Sequence, residues 1–309
     1  MRIVDSISFR INRMRHRSPW QYLHTGKIAL CCIAKLENDY IRFYVEYYKN
    51  LKFDKIFLYD NNDPDGEHFN DVIGDYMKAG FVDVINYRGR KVAQLSAYQD
   101  CYDRHCKDYD WIAFFDVDEF LTFSNEESDI HAFLKQKKFR PYQVMHVNWK
   151  VYGDNDMLDT DGRNVVERFT KPVEPLTIQY KGSVCPENNH IKSLIRGGLS
   201  DIKWVTSPHT PVNEFYLCCN PEGLPVDVNL PYHDFTYQTL YLRHYSTKTI
   251  GEWVRYKMRR GVPDRPEVDS IRAVQLDFFY RCNERTKEKD QYAEKILKEF
   301  EQEKSKAVE

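Results

Sequence analysis

From Lys27 onward the chain is written in blocks, short apolar runs alternating with longer stretches of mixed polarity. KIALCCIA, ending at Ala34, is an uninterrupted apolar run of the kind covered on both faces of a sheet. Glu37, Asn38 and Asp39 then offer capping groups, and YIRFYVEYYKNL sets Ile41, Tyr44, Val45 and Tyr48 at helical spacing. KIFLYD predicts a second strand, halted by the turn-rich NNDPDG. A helix over 67–79 leads through Gly80 to a third strand, FVDVINY. Residues 93–107 predict another helix, and DWIAFF a fourth strand. Strand and helix in this alternation predict an α/β fold, a mainly parallel, doubly wound sheet flanked by helices.

Beyond about Arg140 the blocks shorten. YQVMHVNWKVYG, KPVEPLTIQYKG, HIKSLIRGG and DFTYQTLYLRHYS read as short strands joined by loops. From Thr249 the chain is helical in character, broken once by Pro263 and Pro266, and its last residues alternate in charge like a solvated surface helix. Four segments follow from this reading: 1–26, 27–125, 126–261 and 262–309.

Composition narrows the picture only a little. A chain of 309 residues with 42% hydrophobic content can bury a sizeable core, in one large domain or two smaller ones. A net charge of -2 gives no overall attraction to nucleic acid. The eight cysteines show no zinc-like spacing and read as reduced core thiols of a cytoplasmic protein. No signal peptide is visible, and no apolar run approaches the ~20 residues that span a bilayer. The first segment carries Arg2, Arg10, Arg13, Arg15 and Arg17 among apolar residues. It reads either as a basic helix resting on anionic lipid at the inner membrane face or as a simple docked arm.

Ligands of doubly wound sheets bind beyond the carboxyl ends of the strands. Here those ends carry Lys35 and Glu37, Asp60 and Asn61, Tyr87 and Arg88, then Asp116 and Asp118. The last pair lies in FFDVDEFL, three carboxylates set among aromatic residues. In extended chain, residues two apart point to the same side, so Asp116 and Asp118 present their charges together. Like charges that close require a cation, and hard oxygen ligands select magnesium or manganese, which leave positions open for phosphate. A bland alternative is that Asp118 or Glu119 caps a following helix.

Three stretches, IAKLENDYIRFYVEYYKNLKFDKIFLYDNND, QLSAYQDCYDRHCKDYDWIAFFDVDEFL and LRHYSTKTIGEWVRYKMRRG, resemble glycosyltransferases of the GT-A fold, of the family-2-like and family-92-like kind. The resemblance covers roughly 27–261. It implies a nucleotide-sugar-binding half at 27–125 and an acceptor-side half at 126–261, with a basic arm before them and a helical extension after. It implies that Ala34, Lys35 and Glu37 line the nucleotide pocket, that Asp60 and Asn61 reach the uracil or ribose, and that Arg88 and Gln94 flank the donor. Asp116 would meet ribose or the metal, with Asp118 and His244 as metal ligands. Lys192, Arg196 and Lys248 would face the diphosphate.

The activity implied is metal-dependent, inverting transfer of a hexosyl group from a UDP-sugar to a saccharide or lipid-linked saccharide, in surface polysaccharide synthesis. A general base is then required. Glu187 is preferred, with Asp154, Asp156 and His190 also open, although GDND equally reads as a turn. Trp149 and Trp204 read as sugar platforms or as core. KSLIR resembles a basic strand of related enzymes, whereas Tyr180 to His190 does not align. Two rivals stand beside this: a magnesium phosphatase with an Asp-x-Asp nucleophile, which normally carries its motif after the first strand, and a nucleotide-sugar-binding protein without turnover.

Overall fold

The computed structural model describes residues 24–125, 129–173, 177–180, 183–212, 216–260 and 276–306, with only the backbone of 177–180, 183–187 and 304–306. The basic arm and the Pro263/Pro266 break lie outside the described residues. The first half forms β1 (Ile28–Ala34), α1 (Asn38–Asn50), β2 (Lys55–Asp60), α2 (Asn70–Lys78), β3 (Val82–Asn86), α3 (Gln94–His105) and β4 (Trp111–Phe114). All of β1 is buried, as its unbroken apolar run requires. β1 pairs in parallel with β2 and β4, and β2 with β3. Ala34 lies opposite Asp60, and Asp60 opposite Asn86, so the strand ends form one polar rim.

Helix α1 buries Ile41, Tyr44, Val45 and Tyr48 against one face of the sheet. Its tyrosines do more than fill space. The hydroxyls of Tyr47 and Tyr48 donate to the carbonyls of Leu121 and Glu119, at 2.9 and 2.8 Å. A buried Tyr hydroxyl needs such a partner, and here the partner is the backbone just past the carboxylate motif. Helix α3 covers the other face with Ala97, Tyr98, Cys101 and Tyr102.

After β4 the chain turns through the motif directly into a strand, β5 (Glu119–Phe123), so neither Asp118 nor Glu119 caps a helix. The rest comprises α4 (Ile130–Leu134), β6 (Val144–Val151), α5 (Val165–Arg168), the antiparallel pair β7 (Thr177–Tyr180) and β8 (Ser183–Pro186), β9 (Ile191–Arg196), β10 (Cys218–Cys219), β11 (Pro225–Val226) and β12 (Leu240–His244). β9 enters antiparallel between β4 and β6, an insertion the sequence pattern does not announce. β12 pairs antiparallel with β5 and parallel with β6, which places His244 opposite Glu119. Then come α6 (Ile250–Glu252), a π-helical turn (Trp253–Lys257), α7 (Met258–Arg260), α8 (Leu276–Cys282) and α9 (Lys287–Lys306). Ile250, Trp253, Val254, Phe279, Ala293 and Ile296 form a separate small core between these helices.

Cys31, Cys32, Cys101, Cys106, Cys218 and Cys219 are buried thiols outside any disulfide. Among the described residues, no helix is long and apolar enough to cross a membrane.

Candidate active site

The carboxylate motif sits where α1, β5, β9, β12 and the α6–α7 segment meet, and protein cations fill the space around it. Asp116 is about one-third exposed (32%) and accepts from Lys192 Nζ at 2.8 Å. It also accepts from Gln94 Nε2 at 2.8 Å and from the Tyr98 hydroxyl at 2.9 Å. Glu119 is fully buried; its Oε2 accepts the Asp116 N–H at 2.9 Å, and Lys192 Nζ lies 3.8 Å from Oε1. Burial pushes the Glu119 carboxyl well above the usual range, against the pull of Lys192. Lys192 is also buried, yet Asp116 and Glu119 outweigh that desolvation and raise its pKa, so it stays charged.

Asp118 is bound by Lys257, with Arg260 Nη2 at 3.8 Å and His244 Nε2 at 3.7 Å. Burial alone would raise this carboxyl, but Lys257, His244, Arg260 and Lys248 hold it well below the usual range. Burial pushes His244 down to about 4, leaving the imidazole neutral at pH 7, the form that ligates metal. Glu37 occupies the N-cap position of α1 without capping it. Its carboxylate turns to Arg260 instead, with Lys248 Nζ at 3.6 Å. The Lys248 ammonium also rests 3.8 Å from the centre of the Tyr40 ring.

The residues on the α6 side are held by a second buried constellation. Thr249 and Glu252 form a capping box at the start of α6. Glu252 also accepts from both Arg168 terminal nitrogens at 2.8 and 2.6 Å, and from the Tyr40 hydroxyl at 2.8 Å. Lys248, the residue before this cap, has φ +54°, a left-handed conformation uncommon for a long side chain. The π-turn that follows sets Lys257 against Asp118 and Arg260 against Glu37; such turns are frequent at functional sites.

The other expected site residues fall in three groups. Gln94, Asp116, Asp118, Lys192, His244, Lys248 and Glu37 are brought together as described. Ala34, Lys35, Asp60, Asn61 and Arg88 share the adjoining rim, tied to one another. Lys35 bonds Asp63 at 2.8 Å, and Arg88 bonds Asp60 at 2.8 Å. The Arg88 guanidinium is otherwise spent on the carbonyls of Asp63, Gly66 and Glu67, which clamp the β2–α2 loop. Asn61 Nδ2 donates to the carbonyls of Tyr87 and Arg90.

Of the remaining expected residues, Arg196 and Asp154 find partners away from the carboxylate motif. Arg196 donates to the carbonyls of Tyr142 and Phe139 and stacks on Trp111. Asp154 is buried 2.7 Å from Lys289 of α9, and its Oδ1 accepts the Asp156 N–H at 2.9 Å. Asp156 has φ +62° and is exposed, so GDND is a turn. The side chain of Glu187 lies outside the described residues. Trp204 packs on Tyr98 and Phe114, and Trp149 on His190, His209 and His244.

Sequence reasoning missed Lys257, Arg260, Glu119 and Tyr98, which belong to the carboxylate cluster. KMRR offered a signal, being a basic run directly after an apolar helical turn, but only the π-turn aims two of its cations inward.

Among the described residues no three His, Cys, Asp or Glu side chains cluster as a full metal cage. A divalent ion that keeps water and phosphate oxygens needs fewer protein ligands. Asp118 Oδ1 and Nε2 of the neutral His244, 3.7 Å apart, fit such an ion; Asp116 is already committed to three donors.

A mainly parallel sheet with cations gathered round paired carboxylates at its strand ends defines an α/β protein with a charged site where the ligands of such sheets bind. The chain belongs to glycosyltransferase family 92, whose family model matches residues 29–308. No curated protein matches it in sequence. Among solved structures, TarS 1-349 of S. aureus in complex with UDP is 12% identical over 88% of this chain and 70% of that one, with a TM-score of 0.37. A mannosyltransferase of Pyrobaculum calidifontis, PcManGT, in complex with GDP-Man and Mn2+, is 6% identical over 46% of this chain and 42% of that one, with a TM-score of 0.29.

Proposed function

We propose that this glycosyltransferase moves a hexosyl group, with inversion, from a UDP-sugar to a hydroxyl of a saccharide or lipid-linked saccharide. The observation that carries the reading is the charge balance at the strand ends. Four cations, Lys192, Lys248, Lys257 and Arg260, are gathered among four carboxylates, Glu37, Asp116, Asp118 and Glu119. Cations already ordered at the strand ends are preorganised positive charge, which is what a departing nucleoside diphosphate needs.

Lys257 and Arg260 are poised to grip the diphosphate, with Lys248 beside them. Asp116, oriented by Gln94, Tyr98 and Lys192, faces the ribose. Lys35, Asp60 and Asn61 form the nucleoside end of the rim, and Arg88 keeps that wall in shape. Asp118 and His244 are the pair for magnesium or manganese, which when bound supplies Lewis-acid stabilisation of the leaving group. Holding donor and acceptor in one orientation supplies much of the remaining acceleration. A phosphatase reading fits less well. Its nucleophile would be Asp116, and that carboxylate is tied to three donors on both oxygens.

The test is calorimetric titration with UDP in the presence of manganese, together with assay of UDP-sugar cleavage. Binding of UDP and release of UDP from the sugar nucleotide are expected. Release of phosphate from simple phosphate esters, without nucleotide binding, would sink the proposal.

A further inference from the structure

Beside the charged cluster lies a cavity of about 320 Å³, within the size range of small-molecule sites. Lys248 forms part of its wall, and so does Val117, the residue between Asp116 and Asp118. Tyr40 and Phe43 of α1 contribute aromatic rings. Asp39 and Thr160, both exposed, and the half-buried Asn164 contribute polar groups, so the cavity opens to solvent on their side.

The guanidinium groups that line it are spent inside the protein. Arg168 is held by Glu252, and Arg163 Nε donates to Asp161 at 2.7 Å. Hydroxyl, amide and a single carboxylate oxygen are what the mouth has left for a ligand. Asn164 stands at the N-cap position of α5, yet its side chain makes no capping bond. The Tyr256 hydroxyl, from the π-turn, donates to Asp39 Oδ2, which leaves Oδ1 to accept. Rings beside a few neutral polar groups suit a pyranose, which has apolar C–H faces and an edge of hydroxyls.

The position of Lys248 decides which pyranose. Its ammonium shares Glu37 with Arg260, so one wall of the cavity belongs to the diphosphate grip. Among the described residues it meets Glu37 only at 3.6 Å, and otherwise the face of Tyr40, so N–H donors remain for phosphate. The sugar of a sugar nucleotide is one bond away from its phosphate oxygen. It has to lie next to whatever holds that phosphate, whereas an acceptor carries no such tether.

We propose that this cavity receives the hexosyl group of the sugar nucleotide, and that Asn164 and Thr160 set which neutral hexose is accepted. Tyr40 and Phe43 pack against the C–H face of the ring, Asn164 and Asp39 Oδ1 bond its hydroxyls, and Lys248 lies where sugar joins phosphate.

This rests on the glycosyltransferase reading, and the experiment keeps the two apart. Full-length wild type, Asn164→Ala and Thr160→Trp are titrated by calorimetry, with manganese, against UDP, UDP-glucose, UDP-galactose, UDP-N-acetylglucosamine and UDP-glucuronate. Asn164→Ala removes an amide that caps no helix, and Thr160→Trp fills the mouth from an exposed position. Thermal midpoints report that both variants are folded. Wild type is expected to bind at least one neutral UDP-hexose more tightly than UDP, and UDP-glucuronate no more tightly than UDP. Asn164→Ala should shrink that advantage by roughly 2–10-fold, the range of one neutral hydrogen bond, and Thr160→Trp should abolish it, with UDP affinity unchanged in both. Retention of the full advantage by either variant overturns the proposal. So does UDP-glucuronate as the tightest ligand, and so does a parallel loss of UDP affinity, which marks a structural role. Failure of wild type to bind UDP at all overturns the glycosyltransferase reading itself.

Discussion

Lys192 and Asp116 are 76 residues apart in sequence, and their charged groups are 2.8 Å apart in space. Insertion of β9 beside β4 brings them together. Phe114 lies opposite Ser193, so the residue before Ser193 reaches the chain just beyond Phe114. This lysine answers part of the question that three closely set carboxylates pose, since the protein itself supplies cations for them.

Breaking that pair is expected to be costly. Lys192→Met leaves Asp116 and Glu119 facing one another without their ammonium, and removing one partner of a buried pair typically costs about 3–5 kcal/mol. The exposed side of Asp116 places the expected loss at the lower end, about 3 kcal/mol. Urea unfolding of the two proteins checks this, and a loss under about 1 kcal/mol, the range of surface pairs, contradicts it.

The Arg168–Glu252 pair, both side chains almost wholly buried, makes a pH-dependent contribution. Burial would raise the Glu252 carboxyl, but the hydrogen bonds and charge of Arg168 lower it below its ordinary value. A depressed carboxyl stabilises the fold above its unfolded pKa, about 4.3, and that contribution fades as pH falls through the folded value. Glu252→Gln is expected to be less stable at pH 7 and to lose less on going from pH 5 to pH 3. Denaturant midpoints across that interval supply the measurement; parallel curves would remove the assignment.

Asp118→Asn tests the metal pair. Lys257 and Arg260 lose their shared carboxylate but keep solvent and Glu37, so the protein is expected to stay folded. Its affinity for UDP should no longer respond to manganese, because His244 alone remains. A manganese response equal to that of wild type would reassign the metal.

Lys257→Met should weaken UDP binding with or without manganese. Hydrogen bonds to charged groups contribute about 1.5–3 kcal/mol, which converts to roughly 10–100-fold in the dissociation constant. Because a charge is removed, the salt dependence of binding should become shallower as well. Equal affinities at low salt would place Lys257 outside the diphosphate site.

Much of this protein follows from patterns confined to neighbouring residues. The apolar run of β1, the spacing of Ile41, Tyr44, Val45 and Tyr48 in α1, and the ending of β2 at Asp60 are local, because helix and strand impose periods of 3.6 and 2 on burial. Their alternation dictates parallel order, and parallel order dictates that Lys35, Glu37, Asp60 and Asp116 share a rim. What depends on pairing across long stretches was not legible. The register of β12 against β5 brings His244 to Asp118, insertion of β9 brings Lys192 to Asp116, and a single π-turn rotates Lys257 and Arg260 inward. Asp154 shows the converse, a carboxylate with a plausible sequence neighbourhood that α9 claims through Lys289. Such choices belong to the tertiary structure because the energy of a charge depends on its partners and its burial, and neither is a property of the chain before it folds.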